Sequence, residues 1–203
     1  MKNYISINNQ KIELTEEQVR QISEAYNQGN IKLADVPAGE LVKIGKHEFI
    51  VLEQSGDTTA LIRKDLLPTG EKFGSNNNFD GSYVDGVCKK FAEEIASIVG
   101  KKNLVQHTVD LTSDDGLKDY GKIRRRVSLL TTELYRRYVD ILDKFKPDAW
   151  WWLATPFSTK HHDNDLWVKC VSPFGYFNYG RFGNGESGVR PFCILKSTIF
   201  VSK

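Results

Sequence analysis

Short apolar runs separated by clusters of turn-forming residues constrain this chain most. The runs at 41–44, 48–52 and 59–62 are bounded by Gly, Ser and Asp, which is typical of antiparallel strands. Two longer segments instead repeat apolar residues at helical spacing, one at 84–98 and one at 134–145. Because helices and strands are segregated, the sequence predicts an α+β fold with an antiparallel sheet and two main helices, not a parallel βαβ protein.

Residues 1–35 are expected to form a small unit of their own. Apolar residues flank an Asn-rich turn at 8–10, which predicts a β-hairpin. Thr15 and Gln18 then form a capping box, and a helix is expected to run on to Gly29. This hairpin and helix are too small to fold alone, so they must pack on the rest of the chain or on a second copy. Self-association through residues 1–30 is one of these two alternatives.

Residues 36–203 are expected to form the main domain, with a linker at 31–38. The whole chain has 203 residues, of which 40% are hydrophobic and 27% charged, a normal balance for one globular domain with an appendage. The longest apolar runs are about half of what a bilayer span needs, so no membrane-spanning helix is expected. The polar residues 1–10 lack the apolar core of a secretion signal, so we expect a chain that is cytoplasmic on synthesis.

Charge and cysteine content exclude several function classes. The net charge is +2, and no nucleic-acid-binding motif accompanies the arginines at 124–126 and 136–137, so nucleic acid is not an expected partner. We expect these arginines to flank a helix in solvent. The three cysteines are an odd, widely spaced set, which is neither a disulfide framework nor a metal motif. We therefore expect three buried, reduced cysteines.

Two polar segments resemble metal sites without meeting their spacing. In Asp110–Gly116 the Gly falls one position late for a calcium loop and the twelfth residue is not Glu, so a capping turn is expected. His161 and His162 are adjacent and would point to opposite faces of an extended segment. No metal and no other cofactor is therefore expected, and no nucleophile motif requires catalysis.

An aromatic, Gly- and Asn-rich stretch at 174–187 is the strongest candidate for a binding surface. Tyr supplies contact area at little entropic cost, while Asn and Arg add adaptable hydrogen bonds. The alternative is that the aromatic side chains pack in the core while Asn and Gly only make turns, and both can hold for alternate residues of one hairpin. The candidate ligand-binding residues, with two from the preceding loop, are His161, Asp163, Tyr176, Asn178, Tyr179, Arg181, Phe182 and Asn184.

Residues 36–203 also resemble a known domain family of uncharacterised function. The matching motifs are Trp-Trp-Leu-Ala-Thr-Pro at 151–156 and Gly-Val-Arg-Pro-Phe at 188–192, where the family shows WWLRSP and GVRPAL. The meander at 39–67 is similar to the usual opening of the family. Because its members are common in bacterial and phage genomes, the resemblance implies a phage or prophage setting and association with a virion.

The resemblance implies a C-type-lectin-like fold. The Gly188-Val189-Arg190 element is similar to the Gly-Phe-Arg element of formylglycine-generating-enzyme-like proteins and of variable proteins diversified by retroelements. In those variable proteins the segment between the Trp and Gly-Arg elements carries the ligand surface, which here corresponds to 158–187. The resemblance assigns a structural role to Trp151, Trp152, Gly188, Arg190 and Pro191.

The chain departs from these families at several positions. Ala154 replaces the usual Arg, and Val87-Cys88-Lys89 stands where the family has Trp-Leu-Asn. The Glu-Pro-Asn calcium signature of sugar-binding lectins is missing, and the cysteine pair of formylglycine-generating enzymes has no counterpart.

The first hypothesis is thus a calcium-independent, non-enzymatic binding module for a protein or a surface glycan. The alternative is a formylglycine-generating-like enzyme with a divergent active site.

Overall fold

The computed structural model describes residues 3–7, 10–20, 30–67 and 72–203. Its strands, in chain order, are β1 (Asn3–Ile7), β2 (Gln10–Leu14), β3 (Asn30–Lys32), β4 (Leu41–Ile44), β5 (His47–Ser55), β6 (Thr58–Arg63), β7 (Leu104–Val105), β8 (His107–Asp110), β9 (Lys122–Arg125), β10 (Val127–Ser128), β11 (Trp151–Pro156), β12 (Trp167–Val171), β13 (Phe177–Arg181), β14 (Phe192–Lys196) and β15 (Phe200–Ser202). The helices are α1 (Tyr83–Val99), α2 (Thr132–Arg137) and α3 (Val139–Leu142).

The strands form one large antiparallel sheet and smaller ones. The large sheet has the order β10-β14-β6-β5-β4-β15-β3, with β7 paired to β14. A second sheet has the order β11-β12-β13, while β1 pairs with β2 and β8 with β9. All of these strand pairs are antiparallel, which confirms the predicted α+β class.

Helices cover both faces of the large sheet. On one face, Cys88, Phe91 and Ile95 of α1 share a core with Phe49 and Leu61. On the other face, α2 and α3 contribute a second core that is built with residues of β5, β6 and β14, namely Tyr135, Tyr138, Leu142, Ile50, Ile62 and Phe192. Helix α1 begins after the N-cap Ser82, whose Oγ accepts from Asp85 N–H, and ends before Gly100.

The strand β11 joins the two cores because its side chains alternate between faces. Trp152 is 0% exposed and lies in the first core, with its ring centroid 5.5 Å from that of Phe73. Trp151 is 1% exposed and lies in the second core, 5.7 Å from the ring of Tyr135. Both tryptophans are therefore buried, one in each core.

The N-terminal segment agrees with its predicted local structure wherever it is described. The Thr15 N–H donates to Gln18 Oε1 at 3.0 Å, and the Gln18 N–H donates to Thr15 Oγ1 at 3.2 Å, so the capping box is confirmed. Residues 16–20 are helical. The predicted helical contacts of Ile22 and Tyr26, and the helix end at Gly29, lie outside the described residues.

Two expectations about local structure are wrong. The linker predicted at 31–38 begins instead with β3, which pairs with β15, and the buried Leu33 and Val36 follow it into the first core. The division into 1–35 and 36–203 stays a prediction, although Asn30–Lys32 is part of the large sheet. The arginines at 124–126 are not on a solvated flank of a helix: Arg124 and Arg125 are the last residues of β9, Arg126 follows it, and the mostly buried Arg125 pairs with Asp85 of α1 at 2.8 Å.

The second predicted helix begins as expected but is broken. Thr131 caps its first turn, with Oγ1 accepting from the Leu134 N–H. Tyr138, with φ −109° and ψ 13°, then separates α2 from α3, and a 3-10 turn at Asp143–Phe145 ends the segment. Among the described residues, no helix is long and apolar enough to cross a lipid bilayer.

Candidate functional site

The β12–β13 hairpin carries most of the predicted ligand-binding residues, and its tip is firmly held. The Gly175 N–H donates to the Ser172 carbonyl at 3.0 Å, and Gly175 has φ +91°, which only Gly adopts easily. Ser172 Oγ accepts from the N–H groups of Phe174 and Tyr176. The Tyr135 hydroxyl of α2 donates to the Gly175 carbonyl at 2.7 Å. The tip is therefore fixed both internally and to a helix.

Three aromatic side chains of this hairpin are open to solvent. Phe174 is 80% exposed, Tyr176 54% and Tyr179 48%. The Phe174 and Tyr176 rings are parallel at 6.4 Å, and the Tyr176 ring meets the edge of Trp150 at 6.0 Å. Exposed aromatic groups that contact one another form a patch, which in soluble proteins marks an interaction surface. We call the exposed side chains of Phe174, Tyr176 and Asn178, which lie on this side of the hairpin, the aromatic face.

Tyr179 lies on the opposite side of β13 and is also supported by aromatic rings. Its ring centroid is 5.0 Å from that of Phe157 and 5.5 Å from that of Trp167. The side chain of Lys169 lies above the Phe157 and Phe177 rings and pairs with Asp114 at 3.1 Å. Tyr179 is thus held in place while half of it remains available for contact.

A pocket of about 230 Å³ adjoins the aromatic face. It exists because the chain leaves β13 and returns to the opposite edge of the three-stranded sheet, where the Gly188 N–H donates to the Trp150 carbonyl at 2.7 Å. We call it the tryptophan pocket; it is lined by Trp150, Trp152, Asn178, Asn184, Glu186 and Ser187.

Gly180 and Asn178 determine the chemistry of this pocket. A Cβ on Gly180 would lie 2.8 Å from Trp152 Cη2, so only Gly lets β13 approach that ring. Asn178 Oδ1 accepts from the Tyr179 N–H at 2.9 Å, which leaves the Asn178 amide N–H groups as donors. Trp152 Nε1 is buried and has no acceptor among the described residues. The pocket therefore combines indole surface, donors and the Glu186 carboxylate.

The other predicted ligand-binding residues lie in different settings. Arg181 and Asn184 are exposed, whereas Phe182 is half-buried against the first core and its carbonyl accepts from the Phe73 N–H at 2.8 Å. His161 and Asp163 lie in a separate turn, in which Asp163 has φ +50°. In the part of the chain that the structure describes, no hydrogen bond joins either residue to β13.

The Asp-rich loop at 110–116 positions that turn. Asp115 accepts hydrogen bonds from Ser158 Oγ at 2.6 Å, from His162 Nδ1 at 3.0 Å and from Ser113 Oγ. Partial burial alone would raise the pKa of Asp115, but these donors outweigh it and lower the pKa to about 2. Asp110 likewise accepts from Thr112 N–H and Oγ1. The loop caps backbone and side-chain groups, as the sequence predicts.

The Gly-Val-Arg-Pro element is part of the core. The Arg190 side chain is 1% exposed, donates to the carbonyls of Arg63, Lys64 and Phe145, and lies 5.2 Å from the Trp151 ring. Burial lowers its pKa to about 10, so it stays charged at neutral pH. At Gly188 a Cβ would lie 2.6 Å from Leu66 Cδ1, so a larger residue would collide with that side chain. The Pro191 carbonyl accepts a hydrogen bond from the Arg63 N–H.

Several polar residues at buried positions were not identified from the sequence. Asp85 is 0% exposed; burial would raise its pKa, but hydrogen bonds from Arg125 and Lys89 lower it. Glu53, His107 and Tyr138 line another pocket, between α2 and the large sheet. These residues come from distant segments, so no local spacing pattern indicates their proximity.

The three cysteines are buried and free. Burial raises the pKa values of the Cys170 and Cys193 thiols to about 12 and that of Cys88 even further. None of them is therefore a thiolate at neutral pH. Among the described residues, no cluster of His, Cys, Asp and Glu has the arrangement of a metal site.

Comparisons with protein-family models, with curated proteins and with solved structures found no match to this chain. The family resemblance noted in the sequence therefore stays a prediction, and so does the C-type-lectin-like form of the α+β fold.

Proposed function

We propose that this protein is a non-enzymatic binding module whose contact surface is the aromatic face together with the tryptophan pocket. The observation that carries the proposal is the exposure of Phe174 and Tyr176 beside Trp150, on the side of the hairpin that adjoins the tryptophan pocket. Exposing two neighbouring aromatic groups forgoes the free energy of burying them. A binding role explains why a hairpin that is fixed so firmly leaves them in solvent.

The firm attachment of this hairpin supports recognition by a preformed surface. The Ser172–Gly175 turn is held by hydrogen bonds, and β13 is paired along its length with β12, which is itself covered on both faces. Little conformational entropy is then lost on binding, which favours affinity. Rigid aromatic groups beside Asn and Arg are the combination that paratopes use.

The tryptophan pocket favours a surface glycan over a protein as the ligand. Sugar rings have apolar faces that stack on indole and hydroxyl groups that both donate and accept hydrogen bonds. Trp150 offers the ring surface, Asn178 offers donors and Glu186 offers an acceptor. A calcium-independent mode fits this set, since direct hydrogen bonds replace a metal bridge. The C-type-lectin-like fold and a phage or prophage setting belong to the same proposal.

The alternative of a formylglycine-generating-like enzyme has less support. Cysteine chemistry of that class needs an accessible thiolate. Cys88, Cys170 and Cys193 are all buried, with pKa values raised to about 12 or beyond. We therefore assign no catalytic residue.

A glycan array of bacterial surface saccharides tests the proposal. We expect the wild type to bind one structural class of saccharide, without added calcium and in the presence of a chelator. The double variant Phe174→Ser, Tyr176→Ser should lose at least about tenfold in affinity, because aromatic contacts of this kind commonly contribute about 1 kcal/mol or more each.

Phe200→Ser is the matched control, since Phe200 is 51% exposed but lies on β15. It should bind like the wild type. If no saccharide binds, or if the β15 control loses as much binding as the double variant, the proposal is wrong.

A further inference from the structure

The loop that closes the tryptophan pocket contains a dipeptide with a chemistry of its own. Asn184 lines the pocket and is followed by Gly185, and both residues are exposed to solvent. Residues 184–187 form neither helix nor strand, so no ladder of backbone hydrogen bonds fixes their backbone angles. An Asn-Gly pair occurs only here in the sequence.

An Asn side chain that precedes Gly is open to an intramolecular reaction with water as the only co-reactant. The backbone nitrogen of Gly185 attacks Asn184 Cγ, the new C–N bond closes a five-membered succinimide, and the side-chain nitrogen leaves as ammonia. Water then opens the ring and yields Asp or isoaspartate. The attack requires backbone angles that a Cβ on the second residue obstructs, and Gly has no Cβ.

The structure leaves both reacting groups accessible. The Asn184 backbone N–H donates to the Arg181 carbonyl at 2.9 Å, which closes a turn at the end of β13. Among the described residues, no hydrogen bond engages the Asn184 side-chain amide or the Gly185 N–H. The reaction therefore breaks none of the hydrogen bonds described for this loop.

Other asparagines of the chain are held in place. Asn77 is 0% exposed, and its Nδ2 donates to two backbone carbonyls at 2.8 and 3.0 Å. Asn178 lies within β13, where its Oδ1 accepts from the Tyr179 N–H at 2.9 Å. The residue after Asn178 also carries a bulky side chain. Exposure, loop geometry and the following Gly coincide at Asn184.

The reaction changes the charge of the pocket. Among the described lining residues, Glu186 is the only charged one. Either product places a second carboxylate close to Glu186 and removes the amide donors of Asn184. Isoaspartate also lengthens the backbone by one carbon atom between β13 and Gly188. Each of these changes alters the surface that a ligand of the pocket would contact.

We propose that Asn184 is a site of spontaneous deamidation, which adds a negative charge to the tryptophan pocket and lowers its affinity for a glycan. The deamidation follows from the loop alone, whereas the loss of affinity rests on the proposed function. The pocket is then a binding site whose affinity declines as the protein ages.

Peptide mapping by mass spectrometry tests the site during incubation of the full chain at neutral pH and physiological temperature. We expect a gain of one mass unit at Asn184 that increases with time, while Asn77 and Asn178 stay unmodified. Gly185→Ala should slow the reaction at least about tenfold, because its Cβ obstructs the attack. Gly183→Ala is the matched control: nothing lies within 4 Å of its added Cβ, so it should react at the wild-type rate.

Two results would overturn the assignment of the site. One is an Asn184 that stays unmodified while other asparagines react, or while none does. The other is an equal rate of modification for Gly185→Ala and the wild type. Neither result depends on whether the protein binds a glycan.

Ion-exchange chromatography separates the modified protein, whose affinity for the array saccharide can then be measured. Asn184→Asp should bind at least about threefold more weakly than fresh wild type, the scale of one lost hydrogen bond. Aged wild type should approach that affinity, and aged Gly185→Ala should keep its initial affinity.

Undiminished affinity of the modified protein would overturn the effect on binding and leave the proposed function intact. If fresh wild type binds no saccharide, the proposed function and the effect on binding both fail, while the mass spectra still decide whether Asn184 is modified.

Discussion

Arg190 is a buried cation that the fold satisfies without a carboxylate. Its guanidinium donates to three backbone carbonyls, from Arg63, Lys64 and Phe145, and lies against the Trp151 ring. These contacts join three segments that are far apart in sequence. Arginine suits this position because its planar group presents several donors in a fixed geometry.

Replacing Arg190 should therefore destabilise the protein strongly. We expect Arg190→Ala to lower the free energy of unfolding by roughly 3 kcal/mol. The substitution leaves the three buried carbonyl oxygens without hydrogen-bond donors and creates a cavity. Urea unfolding measures the change. Arg181→Ala, an exposed arginine of β13, should alter the unfolding free energy by no more than about 0.5 kcal/mol. Equal unfolding midpoints for Arg190→Ala and the wild type would refute the structural role.

The sequence predicted some of these residue-scale features and could not predict others. Adjacent tryptophans on a strand must face opposite sides, and Trp151 and Trp152 do so in two cores. The Thr15–Gln18 capping box is equally local and is confirmed. The pairing of His107 with Ser128, by contrast, depends on how β8 and β10 are placed by the surrounding sheet, which no local pattern specifies.

At the scale of elements, the loop between β8 and β9 fixes the 158–162 turn through Asp115. The carboxylate accepts from Ser113, Ser158 and His162, and its pKa is lowered to about 2. An unfolded Asp titrates near pH 4. Because the folded pKa is the lower one, this group stabilises the fold above the unfolded pKa and loses that contribution as the pH falls towards 2.

Asp115→Asn should accordingly weaken the dependence of the unfolding free energy on pH below about pH 5. We expect the unfolding free energy of the wild type to decline between about pH 5 and pH 2 more steeply than that of the variant. Urea unfolding at a series of pH values measures both slopes. Asp140→Asn, on the exposed side of α3, is the control and should keep the wild-type slope. Parallel wild-type and Asp115→Asn profiles would show that Asp115 does not act in this way.

The elements themselves were predicted unevenly. The meander of β4, β5 and β6, helix α1 and the β12–β13 hairpin follow from clear periodicity between Gly, Ser and Asn turns. The strands β7 to β10 were missed because each is only two or four residues long, and the longer two, β8 and β9, carry polar side chains such as Arg124. The helix from Thr132 was expected to be continuous, yet it breaks at Tyr138, whose side chain packs in the second core and bonds to Glu53. Tertiary packing decides such positions, and propensity does not.

At the scale of the whole molecule, the N-terminal hairpin of β1 and β2 forms a sheet of its own, apart from the large sheet. Its Tyr4 is 57% exposed and its Ile12 45% exposed, so this surface is available for contact with a partner. The strand β3 belongs to the large sheet, so a truncation that keeps this sheet must end before Asn30. We propose that the segment ahead of β3 mediates self-association.

Removing residues 1–29 tests this role. The wild type should sediment as a dimer or larger oligomer, and the shortened chain should sediment as a folded monomer, because it keeps every strand of the large sheet. Circular dichroism checks that the shortened chain remains folded. Identical oligomeric states would mean that the hairpin covers only its own subunit.

The candidate site was predicted in part for physical reasons. β13 forms an edge of its sheet, so its adjacent residues Asn178 and Tyr179, which point to opposite faces, both reach solvent. Tyr176, Arg181 and Asn184 are exposed as well, whereas Phe182 packs against the first core. The contributions of Trp150 and Glu186 to the tryptophan pocket depend on the return of the chain to Gly188, a long-range feature that sequence spacing does not contain.

Hydrogen–deuterium exchange with a saturating concentration of the saccharide that gives the strongest array response tests the central claim most directly. We expect added protection of backbone amides at 174–188, with little change around His107 and on β15. Protection confined to those other regions, with none at 174–188, would contradict the assignment of the aromatic face and the tryptophan pocket as the binding surface.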